Sequence, residues 1–207
     1  MGRVSFNSAK KMTGGSGSFF KLEDGDKKNV RFLYNSAQEV TQDAYMVHEF
    51  NGENFATIDC SRQEGDALDA CKWCAQGHRP VSRVILPLYD VDTNEITYWK
   101  KSQTFVENTL LPAFESIPPT SPISGQIFTI GRTGKTMTDT KYTAAPNLAF
   151  PNDGKKKEEF GEIKDPFALN MIKPNDYDFN SQASTQTQAG VGMNNSFTAT
   201  RRTTDVF

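Results

Sequence analysis

Three cysteines are too few, and odd in number, for a complete disulfide framework, because one thiol is always left over. With two histidines the chain offers no convincing Ser/His or Cys/His pair for nucleophilic catalysis. No apolar run approaches the ~18 residues of a membrane span, and the first residues lack the apolar stretch of a secretory leader. Basic charge is not in excess either. The formal net charge is -2, which argues against a simple basic nucleic-acid binder. Apolar content is low, 36% with a mean hydropathy of -0.59, and the 15 phenylalanines are spread along all 207 residues. A typical domain takes about 100–200 residues, so these shortages predict one soluble, non-secreted domain carrying unpacked tails.

The little cysteine present is concentrated. His48, Cys60, Cys71 and Cys74 follow in order, the last two as a C-x2-C pair. Zinc prefers four soft or borderline donors in a tetrahedron, and such a pair supplies two thiolates from one turn while distant residues close the other corners. Three thiolates and an imidazole form the closed set usual in structural sites. A catalytic zinc would keep an open position and a general base, for which Glu49 beside His48 is the only candidate. A redox reading of Cys71-Lys72-Trp73-Cys74 expects a strand before it and a long helix after, whereas acidic, turn-rich sequence precedes it and Gln76-Gly77-His78-Arg79-Pro80 follows. Inert buried cysteines are the third reading, and the clustering of all three speaks against it.

For the imidazole, His78 competes with His48. Asn51-Gly52 signals a two-residue hairpin. A regular hairpin there would set His48 opposite Phe55, roughly 17 Å from Cys60 at about 3.3 Å per residue, so His48 serves only if the hairpin splays or bends.

Charge is unevenly distributed. Residues 39–69 hold eight acids against Arg62, net -7, and residues 96–157 hold eight bases against four acids, net +4. An acidic lobe is a poor phosphate ligand, so the metal is expected to hold the fold while a later, basic region meets any polyanion. Residues 1–18 carry Arg3, Lys10 and Lys11, no acid, and a Gly/Ser run, which reads as a basic arm on a loose tether. The stretches Phe19–Leu22 and Asn29–Tyr34 flank a turn at Asp24-Gly25 and read as a strand pair; residues 43–50 and 53–58 read as another. Asp66 to Cys71 reads as one helical turn. Val81–Val91 with Pro87 inside it reads as an edge or bulged strand, returning through Ile96–Lys101.

Thr104 and Glu107 form a capping box ahead of Val106, Leu110 and Phe114, predicting a short helix near Pro112. Gln126–Arg132 and Thr140–Ala145 are further strands, giving five to seven in all. Residues 176–207, rich in Asn, Ser, Thr, Gln and Gly, read as a disordered tail.

Gly131-Arg132-Thr133-Gly134-Lys135-Thr136 looks like the end of a phosphate-binding loop but has Thr129 where the first glycine belongs. Its cations, Arg132 and Lys135, with Lys141, would instead face phosphates from a strand and its turn, or simply be solvated. Tyr98-Trp99-Lys100-Lys101, Tyr142 beside Lys141, and Arg31 near Tyr34 repeat one pairing, a flat ring next to a cation. Unstacked bases lie on rings while phosphates follow cations, so the pairing suits single-stranded nucleic acid; alternate rings on a strand are also ordinary core.

From about Phe19 to Pro146 the chain resembles the single-stranded DNA-binding, helix-destabilising proteins of T-even and related phages. The resemblance rests on Asn29-Val30-Arg31-Phe32-Leu33, where the family has V-I-R-F-L, on Val47-His48, Asn51-Gly52 and Cys60, and on Gly65-Asp66 leading into Cys71-x2-Cys74. It implies an OB-fold, a five-stranded Greek-key barrel, over residues 19–175 with a zinc lobe inserted at about 43–80 and His48 as the fourth ligand. It further implies an N-terminal arm for self-association along DNA and a C-terminal tail that recruits replication and recombination proteins. The tail here, with Asp176, Asp178 and Asp205 against Arg201 and Arg202, is less acidic than the family's.

The expected protein is thus a non-enzymatic coat for single-stranded DNA in the cytoplasm of an infected bacterial host, holding one structural Zn2+. Its rivals are a zinc-ribbon adaptor that contacts other proteins and a zinc hydrolase acting on nucleic acid.

Overall fold

The computed structural model describes residues 19–51, 55–136 and 138–179. The chain divides after Asp176 into two compact units, and the fold belongs to the first. The expected arm, residues 1–18, and nearly all of the expected tail lie outside the described residues.

The protein is mainly β. Seven strands, β1 (Lys27–Phe32), β2 (Ala44–Phe50), β3 (Ala56–Asp59), β4 (Val81–Asp90), β5 (Glu95–Ser102), β6 (Phe128–Thr133) and β7 (Lys141–Pro146), form one antiparallel sheet. Its order is β3-β2-β4-β1-β6-β7, with β5 attached to β4. Strand β4 organises the sheet. Residues Arg83–Asp90 pair with β5, so β2, which pairs with Val81–Val84, and β1, which pairs with Leu88–Asp90, must share its other edge.

Pro87 therefore sits in an interior strand whose pairing with β5 runs unbroken, where its sequence predicts an edge or bulged strand. Its carbonyl accepts from Leu33 N at 3.0 Å, so the position of its missing N–H points to the same side, where β1 has ended and β2 does not reach. No ladder bond is forfeited there.

Alternation along the strands sorts two cores onto opposite faces. Val30, Phe32, Leu86, Leu88, Phe128 and Ile130 pack on one face under Leu110 and Phe114 of the helical segment, and Val47, Ile85 and Tyr98 on the other pack against Leu169, Met171 and Ile172. The rings of Phe32, Phe114 and Phe128 meet edge to face at 4.9, 5.2 and 5.4 Å. Phe128→Ala is expected to cost about 3–5 kcal/mol, read from urea midpoints, because Phe128 is fully buried and a rigid sheet cannot collapse into the cavity.

The predicted helix runs as Gln103–Phe105, a π-helical Val106–Leu110, and Leu111–Glu115. Its cap is Ser102, whose hydroxyl accepts from Phe105 N at 3.2 Å, and not the Thr104/Glu107 box. The wide turn precedes Pro112, which has no N–H for the helical ladder and would press on the carbonyl of Asn108. Two shorter helices, Ala37–Gln42 and Lys72–Ala75, have no counterpart among the predicted elements; the turn predicted at 66–71 is a 3-10 turn, Leu68–Ala70.

Phe19–Leu22 does not pair with β1, because β4 and β6 occupy both edges of that strand. It lies along β5 instead, with Phe20 N donating to Tyr98 O at 2.7 Å, and Gly25 at φ 86 turns the chain into β1. Among the described residues no helix is long and apolar enough to cross a membrane.

Candidate functional site

The β2–β3 connection decides whether His48 can reach the cysteines. Phe50 pairs with Ala56, leaving five residues, 51–55, between the strands where Asn51-Gly52 predicted two. The register slides accordingly. His48 now opposes Ile58, so Cys60 is its diagonal neighbour on the same face, and Cys60 N donates to Met46 O at 2.9 Å. Cys71 and Cys74 come from the Lys72–Ala75 turn and its cap.

The donor atoms of His48, Cys60, Cys71 and Cys74 all lie within 4.8 Å of one another, and all four residues are buried. Cys60 Sγ and Cys74 Sγ are 3.7 Å apart; His48 Nε2 is 3.3 Å from Cys71 Sγ and 3.7 Å from Cys74 Sγ. Ideal tetrahedral bonds of about 2.3 Å to sulfur and 2.0 Å to nitrogen require separations of about 3.8 and 3.5 Å, so the group fits such an ion.

Donors around it favour thiolates. Asn175 Nδ2 points at Cys71 Sγ from 3.2 Å and Arg62 Nη1 at Cys74 Sγ from 3.7 Å. Burial pushes the Cys71 thiol up, but backbone N–H groups of Cys74 and Trp73, Asn175 and His48 together bring it down to about 5. Cys60, where burial dominates, is pushed up to about 12.

His78 stands apart from the ligand group, packing its ring on Phe50 and Trp73. Glu49 cannot serve the site, because adjacent strand residues face opposite ways: its carboxylate holds Lys100 Nζ at 2.8 Å and Arg83 Nε at 3.1 Å. Burial pushes Glu49 up, and bonds to Arg83 and Lys100 more than offset it, leaving its pKa lowered. Glu49→Gln is expected to cost about 1–2 kcal/mol in urea melts, between an exposed and a buried pair. With a depressed folded pKa, this contribution is present above the unfolded glutamate value and vanishes as pH falls through the folded one.

A second group forms on the opposite face of β5 from the Lys100–Glu49 pair. Trp99 and Lys101, two apart on one face, meet Arg132 of β6 and Tyr142 of β7 in a cavity of about 380 Å³, which Phe20 and Lys21 help to line. It adjoins a hollow of about 390 Å³ that shares Arg132 and Tyr142 and adds Lys135, Thr136 and Thr140. Lys101 Nζ lies over three rings, 3.1 Å from the centre of Tyr142, 4.5 Å from Trp99 and 5.2 Å from Phe105.

The other ring and cation residues expected to meet DNA lie elsewhere. Tyr34 and Tyr98 are buried, leaving no ring face for a base, and Trp99, 3% exposed, lines the trough only as a packed ring, so half-buried Tyr142 is the expected ring left to meet one. Arg31 is locked by Asp153 at 3.0 Å and by the carbonyls of Ser124 and Gly125. Lys100 turns to Glu49 and Thr57 on the opposite face, and Lys141 is exposed at the start of the edge strand β7. The phosphate-loop likeness resolves into a turn: Gly134, at φ 100, gives its N–H to the Asp24 carboxylate at 2.8 Å.

Sequence reasoning missed Phe20, Phe105, Arg62 and Asn175. Asn175 reaches Cys71 across 104 positions, a separation no local pattern announces.

The chain is a mainly β protein whose buried Cys/His group is compatible with a structural metal site. No protein-family model matches it, and neither does any curated protein or solved structure.

Proposed function

We propose that this chain is a non-enzymatic, sequence-independent single-stranded DNA-binding protein. Its core is read as an OB-type β barrel stapled by zinc, coating DNA during phage replication, recombination and repair in the host cytoplasm. The observation that carries the reading is the trough in which Trp99, Lys101, Arg132 and Tyr142 converge from three strands and which continues to Lys135. A half-buried ring, Tyr142, beside cations in one groove suits a base that is unstacked and phosphates that are close, a combination duplex DNA does not offer.

The donor set favours zinc, since three thiolates and an imidazole make a closed, soft tetrahedron; bound there, the ion cross-links the β2–β3 hairpin to the turn at Lys72–Ala75. Binding only the melted form draws duplex toward single strands by mass action. The basic arm at 1–18 would serve self-association and the tail at 176–207 partner recruitment.

Titration of intrinsic tryptophan fluorescence tests this, because Trp99 forms the trough floor. Oligo-dT is expected to bind and a hairpin duplex to bind far more weakly, with labelled strands left uncut. Binding to neither DNA would favour a protein adaptor, and cleavage would favour a hydrolase.

A further inference from the structure

Lys101 and Arg132 are two cations in one hollow, and among the described residues no carboxylate pairs with either, although Glu23 lines the same hollow. Among the described residues Lys101 Nζ has no hydrogen-bond partner, only the ring faces around it. Arg132 gives Nη1 to Leu22 O at 2.6 Å and Nη2 to Thr140 Oγ1 at 3.4 Å, both neutral acceptors, and its Nε is buried with no partner. The fold holds both side chains from β strands, with Lys101 opposite Val84 and Arg132 opposite Tyr142. Partly buried positive charge is ordinarily matched by negative charge, and among the described residues no carboxylate is bonded to either side chain while space remains beside the pair.

We propose that Lys101 and Arg132 form an anion subsite in the trough floor, which seats one phosphate of a bound strand. This rests on the nucleic-acid reading above and names the contact at its centre. A phosphate suits the pair because charge-assisted bonds to an anion satisfy donors that neutral carbonyls leave free. The rings exclude water and hold the ammonium by its positive charge.

Proton uptake follows from the surroundings of Lys101. Burial and then the charge of Arg132 pull its pKa down to about 7. The other charged or titratable groups along the hollow are Lys21 and Glu23 from the segment before β1, Lys100 of β5, whose ammonium is held by Glu49 and Thr57, Tyr142 from β7 and Lys135 from the turn after β6. The helical segment presents Phe105, and its Glu107 is bonded to Gln103. Glu23 forms no ion pair with either cation among the described residues. An arriving phosphate cancels the repulsion from Arg132 and raises the affinity of Lys101 for its proton, so the complex binds more protons than the free protein and affinity must fall as pH rises.

Calorimetric titration of the full-length, zinc-loaded protein with oligo-dT, in phosphate-free buffers of different ionisation enthalpy, reads this directly. At about pH 8, one unit above the Lys101 value, uptake close to one proton per bound protein is expected, with affinity falling up to about tenfold per pH unit above it. Lys101→Arg, charged throughout, should bring uptake to near zero and flatten the pH profile. Inorganic phosphate, titrated alone, is expected to bind weakly with the same proton signature.

Binding of oligo-dT with no uptake, or with uptake unchanged in Lys101→Arg, overturns the subsite and leaves the DNA reading standing. Failure of oligo-dT to bind removes the DNA reading, and the phosphate arm then decides the subsite by itself: proton-linked binding lost in Lys101→Arg supports it, and no binding removes it.

Discussion

Cys71→Ser is expected to release the β2–β3 hairpin and the Lys72–Ala75 turn while the Phe32, Phe114 and Phe128 cluster stays folded. A structural zinc site contributes apparent binding free energy of about 10–16 kcal/mol at neutral pH, comparable with the ~5–15 kcal/mol that holds a whole domain together. None of the four ligands belongs to either hydrophobic core, so the loss falls first on the lobe they join. That lobe is also held by four residue pairs between β2 and β4, by the bonds of Glu49 to Arg83 and Lys100, and by Lys173, whose N–H reaches Thr57 O and whose carbonyl accepts from Asp59 N, each at 2.8 Å.

Hydrogen exchange resolves the outcome by segment. Amides of β2 and β3 should lose protection in Cys71→Ser, and equally in wild-type protein treated with chelator, while Val30–Phe32 and Phe128–Ile130 keep theirs. Simultaneous loss everywhere would mean that the metal supports the entire sheet. Unchanged protection would mean that the cluster holds no metal at all.

Much of this centre is legible in the amino-acid sequence. Metal ligation demands particular residue types, and chance does not readily gather three of three cysteines and a histidine into 27 positions. The choice between His48 and His78 is not legible from local geometry, because it depends on strand register. Asn51-Gly52 is a strong local turn signal, yet the pairing of β2 with β4 and the burial of His48 and Ile58 hold the hairpin in the wider register, with five residues between the strands. Tertiary packing overrides the local signal, and His48, not His78, lies with the three cysteines.

Strand positions are recovered well, since alternation is local, but their edges are not. Pro87 reads as an edge residue because a proline cannot complete a ladder; only the handover from β2 to β1 along one edge of β4 makes an interior proline harmless. The ring and cation pairs show the same limit. Adjacent residues on a strand point to opposite faces, so Tyr98 and Lys100 part from Trp99 and Lys101, and sequence alone does not say which pair faces the trough.

That division gives the second large effect. Replacing Lys101, Arg132 and Lys135 together with alanine is expected to reduce the slope of log affinity against log salt by about 2, at about 0.7 per phosphate neutralised, and to lower oligo-dT affinity more than a hundredfold at ~50 mM salt. Because Arg132 also holds Leu22 O, a thermal melt must accompany the triple variant, and exposed Lys135→Ala alone should still remove about 0.7 from the slope.

Lys100→Ala is the contrasting case: its ammonium is committed to Glu49 and Thr57 at 2.8 and 2.9 Å, so stability should fall and the slope should hold. Should Lys100→Ala reduce the slope while Lys101→Ala does not, the strand runs over the opposite face. There Phe55, 61% exposed with Lys100 Nζ 5.0 Å from its ring centre, would provide the stacking surface, and the trough would have to be reassigned.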